Sequence, residues 1–219
     1  MKIILVIAAL AVGFFLVQRS CIAPSEAKNV TFTGAWKVTQ ENGISGTKSE
    51  VTMAVTASKD KFRIVEQGEG SEKTTVYDGD MLYTKYAYAA QPALAAQPQD
   101  AGADGAPRDA ALSAPQTASE KPRGPNQLAQ LRFWARSYVG RTGPGGKMAD
   151  RDTVLYQARE KRPDGELTIQ AWVDAQTGVV LKSVTTIYSS QVGSMVSKTT
   201  EECQQIQYDS ADPSAFSKP

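Results

Sequence analysis

The chain has 219 residues, with 24 Lys+Arg against 23 Asp+Glu and a formal net charge of +1. A near-neutral chain projects no basic field to gather nucleic acid, so no nucleic-acid partner is expected. It holds no histidine and only two cysteines, Cys21 and Cys203, which excludes Ser-His-Asp and Cys-His nucleophile systems as normally built, a disulfide framework and a Cys-rich zinc site.

Met1-Lys2 is followed by Ile3–Val17, an uncharged apolar run of 15 residues. A basic start and a run of this length fit a secretory signal, and a comfortable membrane span needs about 20 residues. Ser25-Glu26-Ala27 puts small residues where a signal peptidase reads, which predicts cleavage before Lys28. Gln18-Arg19 after the run also fits an uncleaved anchor, with Arg19 snorkelling to the interface. Lipidation at Cys21 is a third reading. All three export the remainder, so residues 1–27 are assigned to a signal peptide or anchor and 28–219 to a single periplasmic domain, soluble or tethered.

Val30–Gln40 reads as a first strand, with Phe32, Gly34, Trp36 and Val38 on one face. Gly34 between two aromatics predicts a bend or a close backbone approach. Ser49–Ala57 places Val51, Met53 and Val55 on one face, and Lys61–Glu66 carries Phe62 and Ile64. Lys73–Tyr77 and Met81–Tyr86 flank Asp78-Gly79-Asp80, a strong hairpin cue. Strands at this spacing form an antiparallel meander.

Residues 87–125 are dominated by Ala, Pro, Gln, Asp and Gly. Most of this stretch cannot bury enough surface to offset its ordering entropy, and it reads as a disordered insertion or long loop. Asn126 then fits an N-cap, and Leu128, Leu131, Trp134, Ala135 and Tyr138 recur at helical spacing, which predicts a helix ending near Gly140. Gly143-Pro144-Gly145-Gly146 reads as a flexible loop. Its following Lys147 does not make a phosphate loop, because the Gly-x4-Gly-Lys-Ser/Thr spacing is missing.

Glu166–Ser183 is the clearest hairpin. Leu167, Ile169, Ala171 and Val173 alternate with polar or amphipathic residues, Asp174 to Gly178 turn, and Val179 restarts the strand. Met195–Tyr208 is a last strand or pair of strands with a polar middle at Glu201-Glu202. Phe216 is expected to dock the tail onto the sheet.

No set of groups points to catalysis. Asp78 and Asp80 sit where a tight turn needs them, Glu201 and Glu202 point to opposite faces of a strand, and Cys203 has no histidine to activate it. An enzyme is therefore not expected, and neither a cofactor nor a metal is implied. The conspicuous feature is apolar: a large sheet face and a single substantial helix, which either pack as an ordinary core or enclose a cavity for an apolar ligand.

Trp36, Lys61-Phe62-Arg63-Ile64, Val76 to Tyr83, Ala171-Trp172-Val173-Asp174 with Thr177-Gly178 and Leu181-Lys182, and Asp212-Pro213-Ser214 with Phe216 together resemble the outer-membrane lipoprotein carrier proteins (LolA/LolB-like). The resemblance spans most of 30–86 and 126–219. It implies a mainly β (α+β) fold: a strongly curved antiparallel sheet, an incomplete barrel, with at least one covering helix over a hydrophobic cavity. It also implies a monomer that binds a lipid or lipoprotein acyl chain, with Trp36, Met53, Phe62, Leu131 and Trp134 as the expected lining. The alternative is an envelope module of the same fold whose partner is another envelope protein. The insertion falls where carriers have lid helices.

Overall fold

The computed structural model describes residues 22–24, 30–68, 70–88 and 116–219. The apolar run, the expected cleavage site before Lys28, Cys21 and most of the expected insertion lie outside them. Among the described residues no helix is long and apolar enough to cross a membrane.

The predicted meander forms strands β2 (Phe32–Asn42), β3 (Lys48–Ser58), β4 (Lys61–Gly68), β5 (Ser71–Tyr77) and β6 (Leu82–Tyr88). Among the described residues a short β1 (Ile22–Pro24) precedes these strands, and β7 (Gln116–Glu120), helix α1 (Pro125–Leu131) and β8 (Arg136–Tyr138) follow them. Strands β9 (Arg141–Met148), β10 (Arg151–Arg162), β11 (Gly165–Asp174), β12 (Val180–Ser189) and β13 (Ser194–Tyr208) complete the order. Eleven of these make one antiparallel sheet in the order β7-β6-β5-β4-β3-β2-β13-β12-β11-β10-β9. Its ends do not meet, so it is an incomplete curved barrel, mainly β, as the resemblance implied. β1 pairs only with β8, in a separate two-stranded sheet.

Register sets the buried face. Tyr208, Phe32, Ala57, Phe62, Tyr77 and Leu82 pair in turn across six strands, so one row of the inner face is largely aromatic and aliphatic. Two residues further along, Gly34 pairs with Ile206 and Val55, and then Trp36 with Cys203 and Met53. A β-bulge between Cys203 and Gln205 lets the long β13 follow β2. At Gly34 a side chain makes the closest approach, not a backbone: a Cβ there would lie 2.6 Å from Trp36 Cζ3, because the indole folds back over the strand, and 3.0 Å from the Gln205 carbonyl oxygen.

The turns are built as the residue types dictate. Asp78 Oδ1 accepts from the Asp80 and Met81 N–H groups, an Asx turn. Asp174 Oδ1 accepts from Gln176 and Thr177, and Gly178 turns with φ 74°. Phe216 is buried in a 3-10 turn (Pro213–Phe216) whose Asp212 Oδ1 accepts from the Ser214 N–H.

Three expectations are corrected. The helix is one short element ending at Leu131. Arg132 leaves the helical region at ψ 57°, Phe133–Ala135 form a 3-10 turn, and Arg136 becomes extended to pair with β1. Its N-cap is Gly124 rather than Asn126, with Pro125 in the first turn and Gln127 Oε1 accepting from the Arg123 N–H. The Gly-Pro-Gly-Gly stretch lies inside strand β9 at a sheet edge. There one side of a strand needs no partner, so Pro144 is tolerated. Gly145 is required, since a Cβ would sit 2.8 Å from Trp172 Cδ1. The insertion is also shorter than its composition suggested. Ala87 and Tyr88 belong to β6, and Gln116–Glu120 pair with it as β7, a polar edge strand held by backbone hydrogen bonds.

Candidate ligand-binding site

Residues 125–138 form a strap across the inner face of the sheet. Past its helix, in the 3-10 turn, Trp134 packs on β2 and β4, with ring centroids 5.8 Å from Phe32 and 5.7 Å from Phe62. Phe133 lies 5.6 Å from Trp36. All of these pairs are edge-to-face, the arrangement the ring quadrupoles favour. Further on, Tyr138 joins a second apolar cluster with Leu167, Ile169, Ala171 and Val180 of β11 and β12.

Each nominated lining residue has a definite place. Trp36, Phe62 and Trp134 are buried in the first cluster, while Met53 and Leu131 pack against its margin, partly buried. The fold therefore brings all five together across β2, β3, β4 and the strap. Of their rings, Phe62 and Trp134 pair directly, and Trp36 joins Trp134 through Phe32 and Phe133. Tyr138 belongs to a different cluster from Leu128, Leu131 and Trp134, so the helical spacing seen in sequence is shared out along a bent strap.

Two charged attachments hold the strap. The Arg132 guanidinium lies over the Phe62 and Tyr77 rings, 5.4 and 5.6 Å from their centroids, and donates to the Asp60 carbonyl. Burial lowers its affinity for a proton, and the surrounding tyrosine and aspartate oppose that. Deeper in, Arg136 Nη1 pairs with both Glu201 oxygens at 3.0 and 3.3 Å, and Ser183 Oγ donates to Glu201 Oε2 at 2.7 Å. Burial favours neutral arginine, but the Glu201 charge outweighs it and raises the pKa of Arg136; burial likewise raises that of Tyr138. Glu202, on the opposite face, pairs with Lys182. The divergence of Glu201 and Glu202 was legible in sequence. Phe133, Arg132 and the Arg136–Glu201 pair were not, because their partners are remote in the chain.

Titration chemistry in the site is muted. Burial pushes the Cys203 thiol up to about 12, and its Sγ–H donates to the Gln205 carbonyl. It is a protonated core side chain at neutral pH. Among the described residues, Trp36 Nε1 and Thr75 Oγ1 are buried and meet no hydrogen-bond partner. On the outer face, a groove of about 570 Å³ runs over Thr33, Ala35, Ala54, Thr56, Gln205 and Gln207. It is separated from the aromatic cluster by the sheet itself.

No protein-family model and no curated protein matches the chain. Among solved structures it is similar to a DUF1329 family protein from Desulfovibrio piger at 9% identity, covering 88% of this chain and 92% of that one with a TM-score of 0.31.

Proposed function

We propose that this is an exported, non-enzymatic, monomeric protein that holds a lipid or lipoprotein acyl chain between its curved sheet and its strap, in the manner of the LolA/LolB-like carriers it resembles. The observation that supports the reading is the way the inner face is filled. Two of its large side chains, Phe133 and Trp134, come from a short strap between Gly124 and Gly140, both at positive φ, and not from the sheet. Lifting the strap would bare Phe32, Trp36, Val55, Phe62 and Leu181 without breaking a rung of the eleven-stranded ladder.

The magnitudes are compatible. With Arg136 kept on Glu201, uncovering the two rings costs about 3–6 kcal/mol, and each acyl methylene buried returns about 0.8 kcal/mol, so about four to eight methylenes balance the exchange. A membrane acyl chain is longer than that. Transfer between membranes or sorting of lipoproteins would follow from such a site. Uptake of a fluorescent polyene fatty acid, read as energy transfer from the tryptophans, tests it. Saturable uptake at one site per chain is expected. The absence of uptake would overturn the reading.

A further inference from the structure

The aromatic cluster contains a polar atom with nothing to bond. Trp36 is 1% exposed, and its Nε1–H meets no acceptor among the described residues. Its ladder partners are Met53 and Cys203, and its ring neighbours are Phe32 and Phe133. None of these side chains offers an oxygen. A buried donor left unpaired costs about 1–3 kcal/mol, which a phenylalanine ring at the same place would avoid. Tryptophan here is a local inconsistency in an otherwise apolar cluster, of the kind expected where an acceptor arrives from outside.

We infer that the Trp36 indole N–H is the polar anchor of the site, and that the ligand is an acyl compound whose carbonyl oxygen accepts this hydrogen bond. This rests on the binding reading above and narrows it. A saturated hydrocarbon would fill the same space and leave the donor unpaired, and an alkyl ether would offer it only a weaker acceptor than a carbonyl oxygen. A carbonyl at the head of an acyl chain satisfies it while the chain replaces the strap's rings against the sheet. The Thr75 hydroxyl, also unpartnered, lies three strands away on β5, on the order of 14 Å by strand spacing, so one oxygen does not serve both.

The test uses three probes with the same chain length: 1-monopalmitoylglycerol, palmitate, and 1-O-hexadecylglycerol, an ether without a carbonyl. The chain has three tryptophans, so its indole ¹H–¹⁵N spectrum holds three resonances, assigned by single Trp→Phe variants. The Trp36 resonance is expected to move further downfield with a carbonyl probe than with the ether, whose oxygens are weaker acceptors. Whichever of ester and acid moves it identifies the source of the carbonyl. Carbonyl probes should bind about tenfold or more tightly than the ether, and Trp36→Phe should bring that ratio close to one. Equal binding of ester, acid and ether, or a Trp36 resonance indifferent to bound ester and acid, overturns the inference and leaves the acyl site standing. Uptake of none of the three overturns both.

Discussion

Arg136 reaches from the strap to Glu201 in the middle of β13, Nη1 to Oε2 3.0 Å, with the two side chains only 11% and 15% exposed. This pair joins the covering segment to the sheet between the two apolar clusters. Desolvating two charges costs much of what their attraction returns, so its loss is best read one partner at a time.

Glu201→Ala or Arg136→Ala alone should destabilise the protein by about 3–5 kcal/mol, since each leaves an uncompensated buried charge. The double variant Arg136→Met/Glu201→Leu should lose less than either single change. Urea unfolding of the three variants checks this. Single variants within about 0.5 kcal/mol of the parent would show that the pair does not hold the strap.

Gly34→Ala should cost about 1–3 kcal/mol by overpacking, because the new methyl must displace the Trp36 ring. Tryptophan emission should report the displacement even where the fold survives. An unchanged spectrum and unchanged stability would mean that the indole does not lie over Gly34.

Asp174 gives the hairpin a pH dependence. Burial pushes its carboxyl up, but donors from Gln176, Tyr208, Arg151 and Thr177 outweigh this and hold it below its ordinary value of 3.8. Tyr208 Oη donates to Oδ2 at 2.8 Å and Arg151 Nε at 2.9 Å. With the folded pKa depressed, the contribution to stability is present above about pH 4 and is lost as pH falls through the folded value. Asp174→Asn should therefore be less stable than the parent by roughly 2 kcal/mol at pH 7, and the gap should close in acid. A gap that is constant with pH contradicts the assignment.

Cys203 should be chemically silent in the folded state. In a Cys21→Ser background, its labelling by a thiol reagent at pH 8 should proceed only as the protein opens. It should be complete at once in denaturant, since burial holds the thiol near 12. Rapid native labelling would place Cys203 outside the core.

Most of the sheet was legible because its strands alternate and its turns carry the residues that turns require. Phe32, Trp36, Phe62 and Ile64 declared one face by period two, and Asp78-Gly79-Asp80 and Asp174 to Gly178 marked where the chain reverses. β7 and β9 were not legible. Each is an edge strand paired through its backbone, with small or polar side chains that leave no alternation to read. The strap misled for another reason: Leu128, Leu131, Trp134 and Tyr138 are spaced like one helical face, yet they serve two clusters through a helix, a 3-10 turn and a strand. The five nominated residues met in one cluster because four elements contribute to it. The donors and ion pairs around them depend on partners such as Arg136 and Glu201, 65 positions apart, which no local pattern reveals.

The central claim is that an acyl chain occupies the space beneath the strap. Native mass spectrometry of the protein purified from a bacterial envelope, followed by organic extraction, tests it most directly. The account predicts a stoichiometric adduct that extraction releases as a lipid or an acylated peptide. A clean mass of the bare chain, with no adduct formed after incubation with envelope lipids, would contradict it.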